Sequence, residues 1–232
     1  MDDIRALTFD TGGTILDWHS GISAAFAAAG ARRGVERDWH AVTNTYRRRS
    51  LQAMLKQVNP DFNIDDVHRR ELDAVAEEFD LGALTAGDRD GIWATWHRLD
   101  AWPGFVPALQ RLRRKYVVAS FTILTTSLIV DVARHNGFAW DAVVSCEMIG
   151  TYKTLPASYA TCAKWLALDP AQIVMVACHN FDLLGAQAVG FRTAFVRRPD
   201  EWGPAGPPDP DPDPSLDLVV DDFAALADAL GA

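Results

Sequence analysis

Ile4-Arg5-Ala6-Leu7-Thr8-Phe9, closed by Asp10-Thr11-Gly12-Gly13-Thr14, decides how this chain folds. A short apolar run halted by a glycine-containing turn predicts a buried strand that delivers a carboxylate to its carboxyl end. Similar short runs recur at Tyr116 to Ser120, Ala142 to Ser145, Ile173 to Ala177, Thr193 to Val196 and Leu216 to Val220. Each but the last adjoins a stretch of helical spacing. Examples are Phe105, Leu109 and Leu112, or Ile129, Val132 and Ala133 with His135-Asn136-Gly137 as a stop. Strands alternating with helices pair in parallel, with helices on both faces of the sheet.

Residues 19–98 carry no convincing strand. Trp39, Val42 and Tyr46 share one helical face, Leu72, Val75, Ala76 and Phe79 a second, and Ile92, Trp96 and Leu99 a third. Asp65 or Asp66, and Thr85, are the expected N-caps. The chain therefore divides into an α/β core domain of residues 1–18 and 99–232 and an inserted helical cap domain of residues 19–98. Re-entry to the core is expected near Asp100-Ala101-Trp102-Pro103-Gly104. The fold class is α/β: a Rossmann-like parallel sheet with helices on both faces, plus the cap. Gly203 to Pro214 alternates Pro with Asp and Gly, which predicts an extended surface loop.

With 232 residues, 49% of them hydrophobic and 23% charged, the chain can bury a full core. A net charge of -9 with no concentrated basic region argues against a nucleic-acid partner. The basic run Tyr46-Arg47-Arg48-Arg49 is short and lies in a helical pattern, where Arg48 and Arg49 are expected on a solvated face. Cys146, Cys162 and Cys178 lack CxxC spacing and cannot all pair, as expected of free thiols in a reducing compartment. With no charged-then-apolar leader and no run of membrane-spanning length, the expectation is a cytoplasmic protein without membrane association.

Ligands of an open parallel sheet gather at the carboxyl ends of its strands. There the sequence places Asp10, then Thr122, then Lys153, then His179-Asn180-Phe181-Asp182. A lone Asp after a strand is a common turn former, but four reactive residue types at successive strand ends point to catalysis. Phe9-Asp10-Thr11-Gly12-Gly13-Thr14 resembles the first motif of the haloacid dehalogenase superfamily. Tyr152-Lys153-Thr154-Leu155-Pro156-Ala157-Ser158-Tyr159 resembles its lysine motif, and Asn180 to Phe191 resembles its last acidic motif with the following helix. The likeness spans essentially the whole chain and implies a helical cap after the first motif.

Phosphatases of that superfamily carry a second Asp two residues beyond the nucleophile, where this chain has Gly12. They also carry a metal-holding Asp where this chain has Cys178. A thiol is a poor ligand for Mg²⁺, and phosphoryl transfer relies on that cation. A halide departs as a stable anion and needs only donors or a cation where charge accumulates. The resemblance is accordingly to the L-2-haloacid dehalogenase (type II) branch, in which Tyr46 to Met54 matches the cap helix bearing a halide-side Arg, here Arg47. It implies a homodimer acting on a small-molecule haloacid, with no cofactor and no metal. Asp10 would attack the halogen-bearing carbon and form an ester. Lys153 would hold Asp10 ionised, Asp182 would pair with Lys153 and orient water, and Thr14 and Thr122 would hydrogen-bond Asp10 or the substrate.

Substrate-binding candidates are Thr11, Gly12, Thr122, Ile123, Tyr159, His179, Asn180 and Phe181. Ile123, Gly12 and His179 depart from the branch pattern, which has Asn, an aromatic and Asn at those places. Gly12 is expected to open space near Asp10, and His179 to donate to a halide or position the acid. His179 has no sequence companion at metal-ligand spacing, which argues against zinc. Trp18 and Trp202 are further aromatics for the pocket or the core, and His19 either starts a helix or sits near the site. Two alternatives stay open: a Mg²⁺-dependent small-molecule phosphatase, and a catalytically silent binding module.

Overall fold

The computed structural model describes residues 3–55 and 63–232. Among them, β1 (Ala6–Phe9), β2 (Val117–Thr122), β3 (Ala142–Ser145), β4 (Ile173–Ala177), β5 (Arg192–Val196) and β6 (Leu218–Val220) form one sheet. All pairs are parallel and the order is β3-β2-β1-β4-β5-β6. Such strands are buried on both faces, so they read as continuous apolar runs whose alternate side chains part company. Leu7, Phe9, Val174 and Val176 enter one core, while Ala6, Ile173, Met175 and Ala177 enter the other.

Between β1 and β2 the chain forms α1 (Trp18–Arg33), α2 (Trp39–Leu55), α3 (Ile64–Glu78) and α4 (Ala86–Ala94), then a 3-10 turn at Thr95–Arg98. The remaining helices are α5 (Phe105–Leu112), α6 (Thr126–Asn136), α7 (Cys146–Ile149), α8 (Pro156–Leu166), α9 (Asn180–Ala188) and α10 (Phe223–Ala229). Phe105 and Leu109 of α5 and Phe223 and Leu226 of α10 cover the first face. Tyr159 and Cys162 of α8 and Leu183 and Ala186 of α9 cover the second. Two elements went unforeseen. The final strand does have a helix beside it, α10, capped by the Asp222 side chain, and the single turn α7 precedes the lysine loop. No helix of the described residues is long and apolar enough to cross a membrane, and all three cysteines are buried free thiols.

The inserted helices leave and rejoin the core through one small clasp. Leu16 bridges Ala101, the Asp17 amide donates to the Asp100 carbonyl (3.0 Å), and the Trp102 amide donates to the Ile15 carbonyl (2.8 Å). Thr85 caps α4 with a reciprocal bond to Asp88, as its sequence suggests. Asn63, rather than Asp65 or Asp66, caps α3 and accepts from both their amides. The carboxylates then sit in the first turn, favoured by the helix dipole, and Asp65 is left to accept from Thr125 at the start of α6 (2.8 Å). His97 completes this tie, with Nδ1 2.7 Å from Asp131 and Nε2 at a looser 3.5 Å from Asp65.

Asp65, and then Asp131, hold the His97 imidazole above its ordinary pKa of 6.5 against the opposing effect of partial burial. A raised folded-state pKa stabilises fully below the unfolded value, and that stabilisation is lost as pH rises through the folded one. His97→Gln is therefore expected to lower Tm more at about pH 6 than at about pH 9. Equal deficits at both pH values would contradict this electrostatic account of the tie.

Candidate active site

The strand order reverses between β1 and β4, and at such a point the connections diverge and leave a crevice at the carboxyl ends. Asp10 follows β1 there, its amide donating to the Val176 carbonyl of β4 (2.9 Å). Cys178 and His179 follow β4, and α9 begins at once, so Asp182 lies in its first turn. The loop after α7 brings Lys153 across. Its ammonium donates to Asp10 Oδ1 (3.1 Å) and Asp182 Oδ2 (2.7 Å), with all three groups buried. The Thr14 hydroxyl donates to Asp10 Oδ2 (2.8 Å) and accepts from the Cys178 amide (3.0 Å). His179 Nδ1 stands 3.3 Å from the same Asp10 oxygen. Tyr159 donates to Asp182 Oδ1 (2.7 Å), so both oxygens of that carboxylate are engaged.

Burial works against each charge here, and partners decide the outcome. For Asp10, Lys153, His179 and Thr14 overcome burial and hold the carboxyl well below the usual range. Burial pushes Asp182 up, opposed by Lys153 and reinforced by Asp10. Burial lowers the Lys153 pKa, but Asp10 and Asp182 outweigh it and keep the ammonium charged. His179 is likewise raised well above its ordinary value, burial being overcome by Cys178, Glu201 and Asp10. Because burial pushes the Cys178 thiol up to about 11, that group is neutral at neutral pH. The two carboxylates are what hold the imidazole's second proton.

Asp10, Lys153, His179, Asp182 and Glu201 form one wall of a cavity of about 310 Å³. Leu51, Met54, Ile123 and Trp202 supply its apolar part. Arg47 reaches in from α2, its guanidinium 5.5 Å from the ring centres of both Trp18 and Trp96. Neither Nε nor Nη1 of Arg47 has a hydrogen-bond partner among the described residues, although the side chain is buried. Burial disfavours its charge, while Glu201 and Asp10 favour it. Gly12 does not leave the open space expected of it. A Cβ there would lie 3.2 Å from Arg47 Nη2, so the guanidinium takes that room.

Asp10, Gly12, Arg47, Ile123, Lys153, His179, Phe181 and Asp182 all line the cavity, and Thr14 supports Asp10 from behind. Phe181 stacks on His179, with ring centres 5.2 Å apart. Thr11 and Thr122 depart from expectation: Thr11 donates to Thr122 (2.6 Å), which also accepts from the Leu124 amide (3.1 Å). Thr122 thus braces the turn and makes no hydrogen bond to Asp10. Asn180 is not a lining residue; its amide donates to the Asp211 carbonyl (2.8 Å) and accepts from the Asp213 amide (2.9 Å). Tyr159 acts on Asp182 from outside the cavity, and His19 stacks on His40 away from it. Arg48 is exposed over Trp202, and Arg49 pairs with Glu71 and Glu78.

Glu201 was not foreseen. It is 1% exposed, accepts from Trp18 Nε1 (3.0 Å), and faces His179 Nε2 at 3.1 Å. His179 therefore has metal-ligand companions in space, Cys178 and Glu201, contrary to the sequence expectation. The one available signal was position, since Glu201 lies just beyond the carboxyl end of β5. The loop that follows also does more than cover surface, for Pro208 and Asp209 close one side of the cavity. Mg²⁺ does not fit this donor set. It requires several oxygens, yet Asp182 is committed to Lys153 and Tyr159 and position 178 presents sulfur.

The family model for haloacid dehalogenase-like hydrolases matches residues 4–190. The chain is 25% identical over 210 residues to (S)-2-haloacid dehalogenase 4A of Burkholderia cepacia, covering 85% of each protein. A defluorinating L-2-haloacid dehalogenase of known structure shares 35% identity with a TM-score of 0.91, over 99% of this chain and 96% of that one. A second L-2-haloacid dehalogenase structure shares 34% identity with a TM-score of 0.89, over 98% and 99%.

If Tyr159 supports Asp182 rather than contacting substrate, Tyr159→Phe should lower stability by about 1.5–3 kcal/mol, the scale of a hydrogen bond to a charged group. Urea unfolding and steady-state kinetics separate the two roles. Lost stability with KM unchanged is expected; a raised KM with full stability would return Tyr159 to the substrate.

Proposed function

Because the chain belongs to the haloacid dehalogenase-like hydrolase family, we propose that it hydrolyses short (S)-2-haloalkanoic acids to 2-hydroxy acids through an ester on Asp10, without a metal. One observation carries this reading: an ionised Asp10, fixed by Lys153, Thr14 and His179, shares a largely apolar cavity with the unpaired donors of Arg47. A nucleophile facing a desolvated cation suits displacement of an anion from carbon. The alternative of Mg²⁺-assisted phosphate hydrolysis finds no support in the donor set.

In this reading residues 19–98 act as the cap and Arg47 receives the halide as it leaves. Attack from behind inverts the carbon and turns the Asp10 carboxylate into a neutral ester. The imidazolium of His179 then loses the carboxylate that held its proton at Nδ1, and that proton departs with the halide. Neutral His179, steadied by Glu201 at Nε2, takes a proton from the water that attacks the ester carbon. It passes this proton to the leaving alkoxide. The acid proton remaining on Asp10 returns to His179, so each turnover releases one proton with each halide. Ile123, Leu51 and Met54 receive the apolar part of the substrate. Fluoride is the poorest leaving group and the strongest hydrogen-bond acceptor of the halides, so Arg47 and His179 together suit it. The defluorinating relative fits that extension.

Free halide is measured with chloroacetate, L-2-chloropropionate and fluoroacetate in EDTA, beside a phosphate ester with Mg²⁺. Halide release that vanishes in Asp10→Asn is expected, and phosphate release dependent on Mg²⁺ would overturn the reading. Silence in both assays would leave a binding module. Glu201→Gln is expected to reduce kcat roughly a hundredfold, the scale of general-base catalysis, and to accumulate the Asp10 ester in intact-protein mass spectra. Full kcat with unmodified Asp10 would remove Glu201 from the mechanism.

A further inference from the structure

Cys178, His179 and Glu201 meet beside Asp10, and among the described residues their ligand atoms all lie within 4.8 Å of one another. Sγ is 3.4 Å from His179 Nε2 and 3.6 Å from Glu201 Oε2, and Nε2 is 3.2 Å from the same Oε2. A tetrahedral zinc ion with bonds of about 2.3 Å to sulfur and about 2.0–2.1 Å to nitrogen and oxygen separates its ligands by roughly 3.3–3.6 Å. The three atoms, at 3.2–3.6 Å from one another, already stand close to those spacings. We propose that Cys178, His179 and Glu201 form a Zn²⁺ site, and that its occupation shuts off the enzyme.

The outer contacts fit as well as the ligands. A zinc-bound histidine ordinarily gives its other ring N–H to a carboxylate, which fixes the tautomer; here Nδ1 faces Asp10 Oδ2 at 3.3 Å. Trp18 Nε1 holds Glu201 Oε1 at 3.0 Å and leaves Oε2 to the cluster. His179 and Glu201 belong to the cavity wall, which gives an ion a route in and room for a fourth ligand. Charge also balances. The ion replaces the Cys178 thiol proton and the second imidazole proton, so two protons leave as two positive charges enter. The surrounding set of Asp10, Asp182, Lys153 and Arg47 keeps its net charge. The thiolate and imidazole select a borderline cation such as Zn²⁺ over Mg²⁺ or Ca²⁺.

Inhibition rests on the function proposed above, because zinc on His179 Nε2 and Glu201 would occupy the pair assigned to the water. Binding does not rest on it. Co²⁺ serves as the visible probe, with Zn²⁺ then competing for the site. One Co²⁺ per chain, with a thiolate-to-metal absorption band that Zn²⁺ abolishes, is expected. The band should disappear in Cys178→Ala and Cys178→Ser and persist in Cys162→Ala, with circular dichroism establishing that each variant is folded. Absence of the band, or its survival in both Cys178 variants, would overturn the site. Halide release by wild type should fall at least tenfold at Zn²⁺ concentrations that leave Cys178→Ser uninhibited relative to its own metal-free rate. Bound Zn²⁺ without loss of halide release would overturn the inhibitory role. Failure of halide release in EDTA counts against the enzymatic reading and leaves the metal-binding result intact.

Discussion

Lys153 sits between Asp10 and Asp182, and all three side chains are almost wholly buried. An isolated charge at such depth is strongly unfavourable, and a cation flanked by two carboxylates is a combination the interior tolerates. The rest of the site follows from keeping that arrangement intact. Tyr159 takes the oxygen of Asp182 that Lys153 leaves, and Thr14 and His179 share the outer oxygen of Asp10. The parallel sheet contributes the point where β1 and β4 carry their loops in opposite directions.

Around this core three buried carboxylates meet three cations. Asp10, Asp182 and Glu201 face Lys153, His179 and Arg47, while Cys178 stays neutral. Glu201 has a second consequence through Gly13, whose φ of +96° and lack of a side chain admit the buried carboxylate; a Cβ there would lie 2.1 Å from Glu201 Oε1. Arg47 differs from the other cations because two of its nitrogens have no partner among the described residues. Trp18 and Trp96 hold it by their ring faces, an attraction that leaves its N–H groups available.

Much of this was legible in the sequence because it obeys local rules. Apolar runs between turn formers gave the strands, and Asp10, Lys153 and Asp182 fall in motifs whose order reflects the topology. Arg47 was separable from Arg48 and Arg49 only by its place after Tyr46 in the motif that the cap helix resembles, and it is buried where Arg48 is exposed. What escaped was whatever depends on distant segments meeting. Glu201 reaches His179 only because the β5 loop folds back over β4, and Asn180 bonds that same loop and does not line the cavity. Thr122 keeps the hydroxyl its motif calls for, yet Thr11 has already claimed it. Gly12 suggested a void, because only the fold reveals that a guanidinium from α2 fills it.

Whether a side-chain oxygen of Asp10 becomes the product's hydroxyl is decided by one turnover in H₂¹⁸O with enzyme in excess over L-2-chloropropionate. Peptide mass spectrometry should then find the heavy oxygen in the Asp10 carboxylate, with the lactate carrying only ordinary oxygen. Heavy oxygen in the lactate hydroxyl with Asp10 unlabelled would mean that water displaces the halide directly, and the covalent account would be wrong.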